Sequence, residues 1–583
     1  MTSSMLHVPV LVVGAGPAGL TAALLLQRYG VDALTINRYG WTAHTPRAHY
    51  QNQRSLEILR ELGLEAEVVA AGMPEALAAN VVWTETLAGT EYARIPTYMN
   101  ARIDAYRRAS PCPSSNVAQT LLEPIMARAA LERGARIRWG HELLTLAQDA
   151  QGVTAEVLDR AEERRYRIRA DYLIGADGAR SVAAEQLGIA LQGPAGWAAA
   201  VNVWFKADLA KYCAHRPGIL YWTNRPGAGF WVGSGGFINV TPWNEWVLSF
   251  MYDPSAGQPD LAPAAMAARI RQLVGDEELA VEVLSVNPWQ MNAQVAERMG
   301  TGRAFIAGDA AHRHPPSGAL GSNTSMQDSY NLAWKIAAVL QGHAGPALLD
   351  SYDRERRPVA AAIVERSMAN IEIFKEVAAA IGFSGEQTAA QGWESFHALA
   401  RPGGDGQARR QALRRALQRQ QYHFGALGFE MGVHYAEGAL VPDDAAAAAL
   451  PAGHDPLLDF VPDARPGAHL PHAWLRPTPT GPRRSTLDVC RPGRMTLLVG
   501  HGGAAWRRAA AEVAAALQLP LDVVAIGIGL DWTDIDHDWA ELSGTGDDGC
   551  LLVRPDKVVA WRCRGAAAAP LLHDVMCRVL ARD

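Results

Sequence analysis

Gly14, Gly16 and Gly19 form the run Gly-Ala-Gly-Pro-Ala-Gly, and the chemistry open to such a run is the binding of a pyrophosphate. A glycine-lined turn at the start of a helix lets backbone amides approach phosphate oxygens, and the positive end of the helix dipole favours their charge. Taken alone the pattern is weak, because a buried strand-turn-helix can carry glycines by accident. Here an apolar run at 8–13 precedes it, a helical pattern at 18–29 follows, and a second apolar run at 33–37 comes next, the order that a dinucleotide-binding βαβ unit requires. That second run ends at Asn37, where an acidic residue ordinarily takes the ribose hydroxyls. An amide also hydrogen-bonds a hydroxyl, but without charge assistance.

Two more glycine-acid pairs, Asp177-Gly178 and Gly308-Asp309, each follow a short apolar run, at 172–175 and 304–307. A carboxylate placed there is either a strong acceptor for a ligand hydroxyl or a helix N-cap. His312 and His314 make an HxH that can be read as metal ligands, yet no third ligand or cysteine stands at useful spacing, so no metal is expected. The six cysteines show no CxxC, which excludes dithiol exchange and suits free thiols in a reducing compartment.

The elements that must position these residues read as α/β. With 49% hydrophobic and 20% charged residues over 583 positions, the chain can fill two or three packed cores. A net charge of -6 without a block of like charge argues against a nucleic acid or an anionic membrane as partner. No stretch reaches the roughly 18 to 20 uninterrupted apolar residues of a membrane span. No basic segment precedes the first apolar run, so a soluble, cytoplasmic protein without a signal peptide is expected. Between 193 and 251, Trp, Tyr, Val and Phe interleave with Gly and Pro, which reads as a separate sheet inserted into the first domain. From 360 to 427 the pattern is helical, and its RRQALRRALQRQQ run reads as a solvated face rather than a site for an acidic partner. The Ala-, Pro- and Gly-rich stretch 443–467 reads as a linker before a last domain, in which 495–500, 522–529, 549–556 and 557–563 are strand-like.

The segments GAGPAG, DYLIGADGARS (171–181) and GRAFIAGDAAHRHPPSGALGSNTSMQDSYNLAWKIA (302–337) resemble, in content and order, the three fingerprints of the single-component FAD-dependent aromatic hydroxylases, the class A flavoprotein monooxygenases. The resemblance covers about residues 7–370. TPRAHYQNQRSLEILRELG, QTLLEPI and TPWNEW make it most similar to the phenol and 2,4-dichlorophenol hydroxylase branch. It implies a Rossmann-type FAD-binding domain from 1–80, 105–185 and 285–370, and an inserted substrate-binding sheet from 81–104 and 186–284. A helical linker region at 371–450 and a thioredoxin-like domain at 451–583 would follow, the latter with LVGHGGAAW where a redox protein shows CxxC.

The resemblance also implies roles. Arg47 and Gln119 touch FAD phosphate and ribityl groups, against the alternatives of a surface salt bridge and a helix cap. Asp309 accepts the flavin ribityl hydroxyl. Asp177 and Gly178 hold FAD and the passing nicotinamide, although Ala184 stands where the family pattern continues to an arginine. Pro315 and Pro316 fix a loop beside the isoalloxazine ring, with Pro316 a catalytic position, or else form a rigid turn with no catalytic part. Gly321, Ser322 and Asn323 begin a helix whose amides suit the negative charge of a reduced flavin. His49, five residues before Arg54 of an RxLE motif, lies at the substrate hydroxyl, against the alternative of a histidine bonded to a loop carbonyl. Phenols titrate near 10, so a base near neutrality would help form the phenolate. Tyr221 and Asn224 line the substrate pocket, or else serve as sheet packing and a turn.

The implied reaction uses NADPH or NADH to reduce FAD, carries oxygen as a flavin 4a-hydroperoxide, and transfers it ortho to the hydroxyl of a phenol. The chain has no second GxGxxG, so the nicotinamide has no Rossmann site of its own. The implied setting is aromatic hydrocarbon catabolism by a homodimer. The alternatives are a hydroxylase or epoxidase of a larger polycyclic substrate, a non-catalytic flavin-binding regulator, and a plain NAD-dependent dehydrogenase, which would leave Gly308-Asp309 without a job.

Overall fold

The apolar runs around the three glycine motifs become neighbouring parallel strands in the computed structural model, which describes residues 5–97, 102–227, 233–384, 387–443, 450–477 and 480–582. Leu6–Val13 lies in the middle of an eight-stranded sheet, parallel to Arg164–Gly175 on one side and Ala33–Asn37 on the other, with Ala304–Ile306 beyond Arg164–Gly175. Val8, Val10, Leu11 and Val12 are fully buried, as expected of a parallel strand covered on both faces. The registers align Val13 with Gly175 and Gly175 with Ile306, so the three fingerprint turns leave the sheet side by side at one edge. Pro17 opens helix Pro17–Arg28 at a position where its missing N–H costs nothing, and helix Gly321–Leu340 packs alongside, with Ser329 Oγ donating to the Ala18 carbonyl at 2.8 Å.

The β-rich stretch forms a seven-stranded sheet that also takes Asn80–Thr84 and Glu91–Pro96 from the first hundred residues. Its far strand, Glu282–Met291, runs past the expected boundary at 284. One face packs against helix Pro263–Val274 and buries Val82, Phe205, Tyr221, Phe237 and Trp246. The other face carries Trp83 and Trp222 toward a second apolar cluster.

That second cluster gives the region after 371 a different character from a spacer. Phe374, Leu413, Phe424, Leu427 and Met431, on helices Asp350–Ala380, Gly404–Arg419, Gln421–Phe424 and Leu427–Met431, pack with Tyr50, Trp83 and Ile219. Of the stretch expected as a linker at 443–467, residues 444–449 lie outside the described ones.

The last domain is a four-stranded sheet in the order Leu521–Ala525, Met495–Val499, Cys550–Val553, Val559–Cys563, with the first pair parallel and the others antiparallel, flanked by helices Ala504–Leu517 and Leu572–Val579. This is the thioredoxin-like arrangement expected. One apolar cluster runs from the first sheet and its helices into Leu497, Trp506 and Leu572 of this domain. Among the described residues, no helix is long and apolar enough to cross a membrane.

Candidate active site

The first turn has the geometry of a phosphate cradle. Gly14 has φ +106°, and a Cβ there would lie 2.1 Å from the Ala176 carbonyl oxygen; a Cβ on Gly19 would lie 1.9 Å from the Gly14 oxygen. These two glycines are required by the close approach of turn, helix and neighbouring strand. Gly16 differs: a Cβ there meets nothing nearer than Glu123 Oε1 at 3.7 Å. The open side of Gly16 fits a dinucleotide pyrophosphate approaching the backbone.

Glu123, which sequence reasoning missed, organises the rim of this cradle. It is 1% exposed; its Oε2 accepts the Ala43 N–H at 2.6 Å and its Oε1 accepts from the Gln119 side chain. Burial raises its pKa against these two hydrogen bonds. Gln119 and Glu123 are one helical turn apart in QTLLEPI, and that spacing was the available signal. Arg47 is exposed, and its carbonyl accepts the Gln119 N–H at 2.9 Å, which sets the loop against the start of helix Gln119–Glu132. Asn37 spends its amide hydrogens on the Tyr39 and Trp41 carbonyls, both at 3.3 Å, which leaves its oxygen as an uncharged acceptor for a ribose hydroxyl.

At the second turn the Asp177 carboxylate is used locally, accepting from Ser181 Oγ at 2.5 Å and from the Ala183 N–H at 3.0 Å. Burial raises its pKa, and these bonds oppose the rise. Gly178, at φ +79° with open space where a Cβ would be, is the part of this turn that a ligand can approach. Ala184, where the family pattern continues to an arginine, is 4% exposed and packs in the core.

At the third turn Asp309 is exposed, and the short helix it sits in has no side-chain cap, so its carboxylate is not spent on capping. The turn is held instead by the buried Asp328, another residue the sequence reading missed. Asp328 Oδ2 accepts the Gly308 N–H at 3.0 Å and His312 Nε2 at 2.9 Å, while Oδ1 accepts Arg356 Nε at 2.8 Å. Burial pushes this carboxyl up, but Arg356 and His312 outweigh it and hold it below the usual range. His312 is thus committed to Asp328, and His314 donates from Nδ1 to the Pro315 carbonyl at 2.8 Å.

Asn323 sits where the helix amides begin, but its side chain is fully used within the protein. Its Oδ1 accepts the Asn52 N–H at 2.9 Å and Ser55 Oγ at 2.6 Å, and its Nδ2 donates to the Tyr50 and Ala319 carbonyls at 3.0 and 2.7 Å. Two acceptor sites and two hydrogens are an amide's whole capacity, so only the Asn323 backbone remains for a cofactor. The side chain instead ties the loop 315–320 to the segment bearing His49. Of the two prolines, Pro315 is buried and Pro316 exposed; Gly321 and Ser322 are the first residues of the following helix.

His49 is half-buried, and its Nδ1 is buried without a hydrogen-bond partner. Burial lowers its pKa to about 4, which departs from the near-neutral base expected from the sequence. Removal from water penalises the imidazolium, and no carboxylate compensates. Next to it, the Tyr50 hydroxyl donates to Glu430 Oε2 at 3.3 Å, and burial raises the Glu430 carboxyl to about 8.

Of the two readings open for Tyr221, the structure shows sheet packing, whereas Asn224 follows the strand on the face of Trp222. Tyr221 is fully buried on the face turned to helix Pro263–Val274, and its hydroxyl donates to the Arg216 carbonyl at 2.9 Å. Side chains alternate along a strand, so Trp222 takes the opposite face, with its ring centroid 5.0 Å from that of Phe374 and its Nε1 without a partner. Asn224 is 2% exposed and accepts the Tyr92 hydroxyl. Tyr50, the chain neighbour of His49, therefore packs with Trp222, Phe374 and Ala319 in one apolar cluster.

Comparison with known proteins gives two matching family descriptions, an FAD binding domain over residues 7–367 and an aromatic-ring hydroxylase C-terminal domain over 463–582. The chain is 42% identical to a 2,4-dichlorophenol 6-monooxygenase of Delftia acidovorans, covering 96% of this chain and 95% of that one. It is 40% identical to a phenol 2-monooxygenase of a Pseudomonas species, strain EST1001, covering 98% and 93%. The structure resembles that of the flavin-dependent monooxygenase PieE in complex with FAD and substrate, with a TM-score of 0.95 and 44% identity over 99% of this chain and 100% of that one.

Proposed function

The chain belongs to the FAD-dependent aromatic-ring hydroxylases, and from that premise we propose that it hydroxylates a small phenol next to its hydroxyl group, using dioxygen and NADPH or NADH. The observation that carries this reading is the alignment of Val13, Gly175 and Ile306, which brings the three family motifs to one sheet edge, with Ala319 of the third motif packed against the apolar cluster of Trp222. The relatives' names support the ring position, since 2 and 6 both adjoin the hydroxyl.

FAD, once bound and reduced, supplies the activation of dioxygen. In this reading the Gly14–Gly19 turn and Arg47 hold the pyrophosphate, Asn37 the ribose and Gln119 and Asp309 the ribityl chain. Pro315 and Pro316 border the ring, and the backbone amides of Gly321, Ser322 and Asn323 face the flavin's developing negative charge. Gly178 offers backbone to the cofactor, and the Asp177 side chain shapes that turn. Residues 1–80, 105–185 and 285–370 form the flavin domain, 81–104 and 186–284 the substrate sheet, and 451–583 the thioredoxin-like domain.

His49, neutral across the working range, presents a lone pair to the phenol hydroxyl and fixes the ring's orientation. A weak base suffices, because attack on the ring makes that hydroxyl strongly acidic and the proton passes as the new bond forms. The apolar walls exclude water from the reacting carbon. The cysteines are all free, which supports a reducing, cytoplasmic setting. The same reading takes the enzyme to be a homodimer, which light scattering of the purified protein tests.

The test of the activity is the visible spectrum of the purified protein, followed by anaerobic reduction with NADPH and with NADH, with and without simple and chlorinated phenols. Flavin absorbance that bleaches much faster when a phenol is present is the expected result. A bound flavin indifferent to every phenol would overturn the substrate class.

A further inference from the structure

The segment between residues 367 and 463 is matched by neither family description, yet it supplies a side chain to the loop that borders the flavin site. His423, on the short helix Gln421–Phe424, is 7% exposed, and its Nε2 accepts the Gly318 N–H at 2.9 Å. Gly318 follows Pro315-Pro316-Ser317 and has φ +84°, and Ala319 beyond it has φ +53°. Two successive residues in the left-handed region make a sharp turn that no strand or helix ladder holds.

The other fastenings of this loop run to different places. Ser317 Oγ donates to the Ser367 carbonyl at 2.7 Å, the Ala319 N–H donates to the Pro316 carbonyl at 3.1 Å, and the Ala319 carbonyl accepts from Asn323. Among the described residues, the hydrogen bond between the segment after 380 and the loop's backbone is made by His423.

The choice of histidine is informative. With Nε2 as acceptor, the ring's proton must sit on Nδ1, and that N–H is buried without a partner, beside the Phe374 ring at a centroid separation of 4.3 Å and stacked on Phe424 at 4.1 Å. A phenylalanine would pack among these rings without an orphaned N–H. What the imidazole adds is the acceptor for Gly318. Burial, with a smaller push from the Arg366 charge, lowers the His423 pKa to about 3, so the lone pair stays available.

We propose that His423 is a positioning residue of the hydroxylase: its neutral imidazole holds the Gly318 amide and so sets the Pro315–Ala319 loop against the flavin ring. It touches neither cofactor nor substrate and acts through the loop. The inference relies on the hydroxylase reading only for where the flavin lies.

The test measures FAD release from the purified holoenzyme by the rise of flavin fluorescence after dilution, for His423→Phe, His423→Gln and His423→Asn. Gln places its carbonyl oxygen near the Nε2 position, whereas Asn is too short to reach Gly318. Release about tenfold faster in the Phe and Asn variants, with Gln restoring the rate to within about threefold of the parent, is expected from the loss and return of one buried bond. Should the Phe variant fail to fold, the comparison of Gln with Asn decides the matter. Equal rates in Gln and Asn, or a Phe variant at the parent rate, would overturn the proposal. Because release is read without turnover, the result stands even if no phenol proves to be a substrate. Where turnover is present, product formed per nicotinamide oxidised should fall in Phe and Asn and recover in Gln.

Discussion

At the scale of single residues, the three glycines of the first turn separate folding from binding. Gly14 combines φ +106° with a Cβ position 2.1 Å from a carbonyl oxygen, whereas Gly16 has ordinary φ and open space. Gly14→Ala should therefore lower stability by more than about 2 kcal/mol, read from the urea midpoint. Gly16→Ala should leave the midpoint within about 0.5 kcal/mol and weaken FAD binding at least tenfold in a fluorescence titration, because the methyl occupies the phosphate's approach. Glu430 supplies a pH test. Its folded pKa of about 8 exceeds the usual carboxyl value, so the folded state keeps a proton that the unfolded state has lost. Its contribution is fully present below about pH 4.5 and declines as pH rises toward 8, by up to about 1.4 kcal/mol per pH unit. Glu430→Gln should match the parent's stability at pH 4 and exceed it at pH 8, and urea curves with equal pH slopes in both proteins would refute this. The sequence made the glycines readable because their requirement is local. It located Asn323 and Asp177 as motif positions, but not that their side-chain atoms turn inward to Tyr50, Ser55 and Ser181, since side-chain direction depends on partners far along the chain.

At the scale of elements, the strand Leu220–Thr223 shows what periodicity can and cannot convey. The aromatic and β-branched residues mark it as a strand, and alternation puts Tyr221 and Trp222 on opposite faces. Which face meets the substrate depends on what covers each one. Helix Pro263–Val274 covers the Tyr221 side, and Phe374, over 150 residues later in the chain, meets Trp222. Tyr221→Phe should leave the KM for a phenol unchanged and lower stability by about 1 kcal/mol, the worth of one hydrogen bond. Trp222→Leu should raise that KM about tenfold by opening the wall of the pocket. Steady-state kinetics of both variants decide between the two faces, and a KM that moved with Tyr221 alone would reverse the assignment. The helices after 371 were legible as helices from their spacing. Their role was not, because the bonds that define it, His423 to Gly318 and Tyr50 to Glu430, join segments that the sequence keeps far apart.

At the scale of the whole molecule, the thioredoxin-like domain is joined to the flavin domain by buried charge as well as apolar surface. Its turn Arg554-Pro555-Asp556-Lys557 enters the flavin domain, where Arg554 makes two 2.8 Å bonds to Glu355, itself paired with Lys335 at 2.8 Å. Lys557 pairs with Glu61 at 2.9 Å, Tyr330 donates to the Pro555 carbonyl at 3.2 Å, and His469 pairs with Glu57 at 2.8 Å, where Arg54 also binds. Glu355 and Arg554 are both fully buried, so removing one partner strands a charge rather than merely losing a bond. Arg554→Met should cost about 3 to 5 kcal/mol in urea unfolding although it lies far from the flavin motifs in sequence. A domain that served only as a contact between subunits would predict something else: a chain ending at residue 450 would stay soluble, bind FAD and become monomeric. The buried pairs predict that such a chain is insoluble or cannot hold FAD, because Glu61 would lose Lys557, Glu355 would keep only Lys335 of its two cations, and Glu57 would lose its bond to His469. Expression of residues 1–450 with measurement of soluble, flavin-bound protein separates the two, and a yellow, monomeric fragment would show that the flavin domain does not need the charges its neighbour provides.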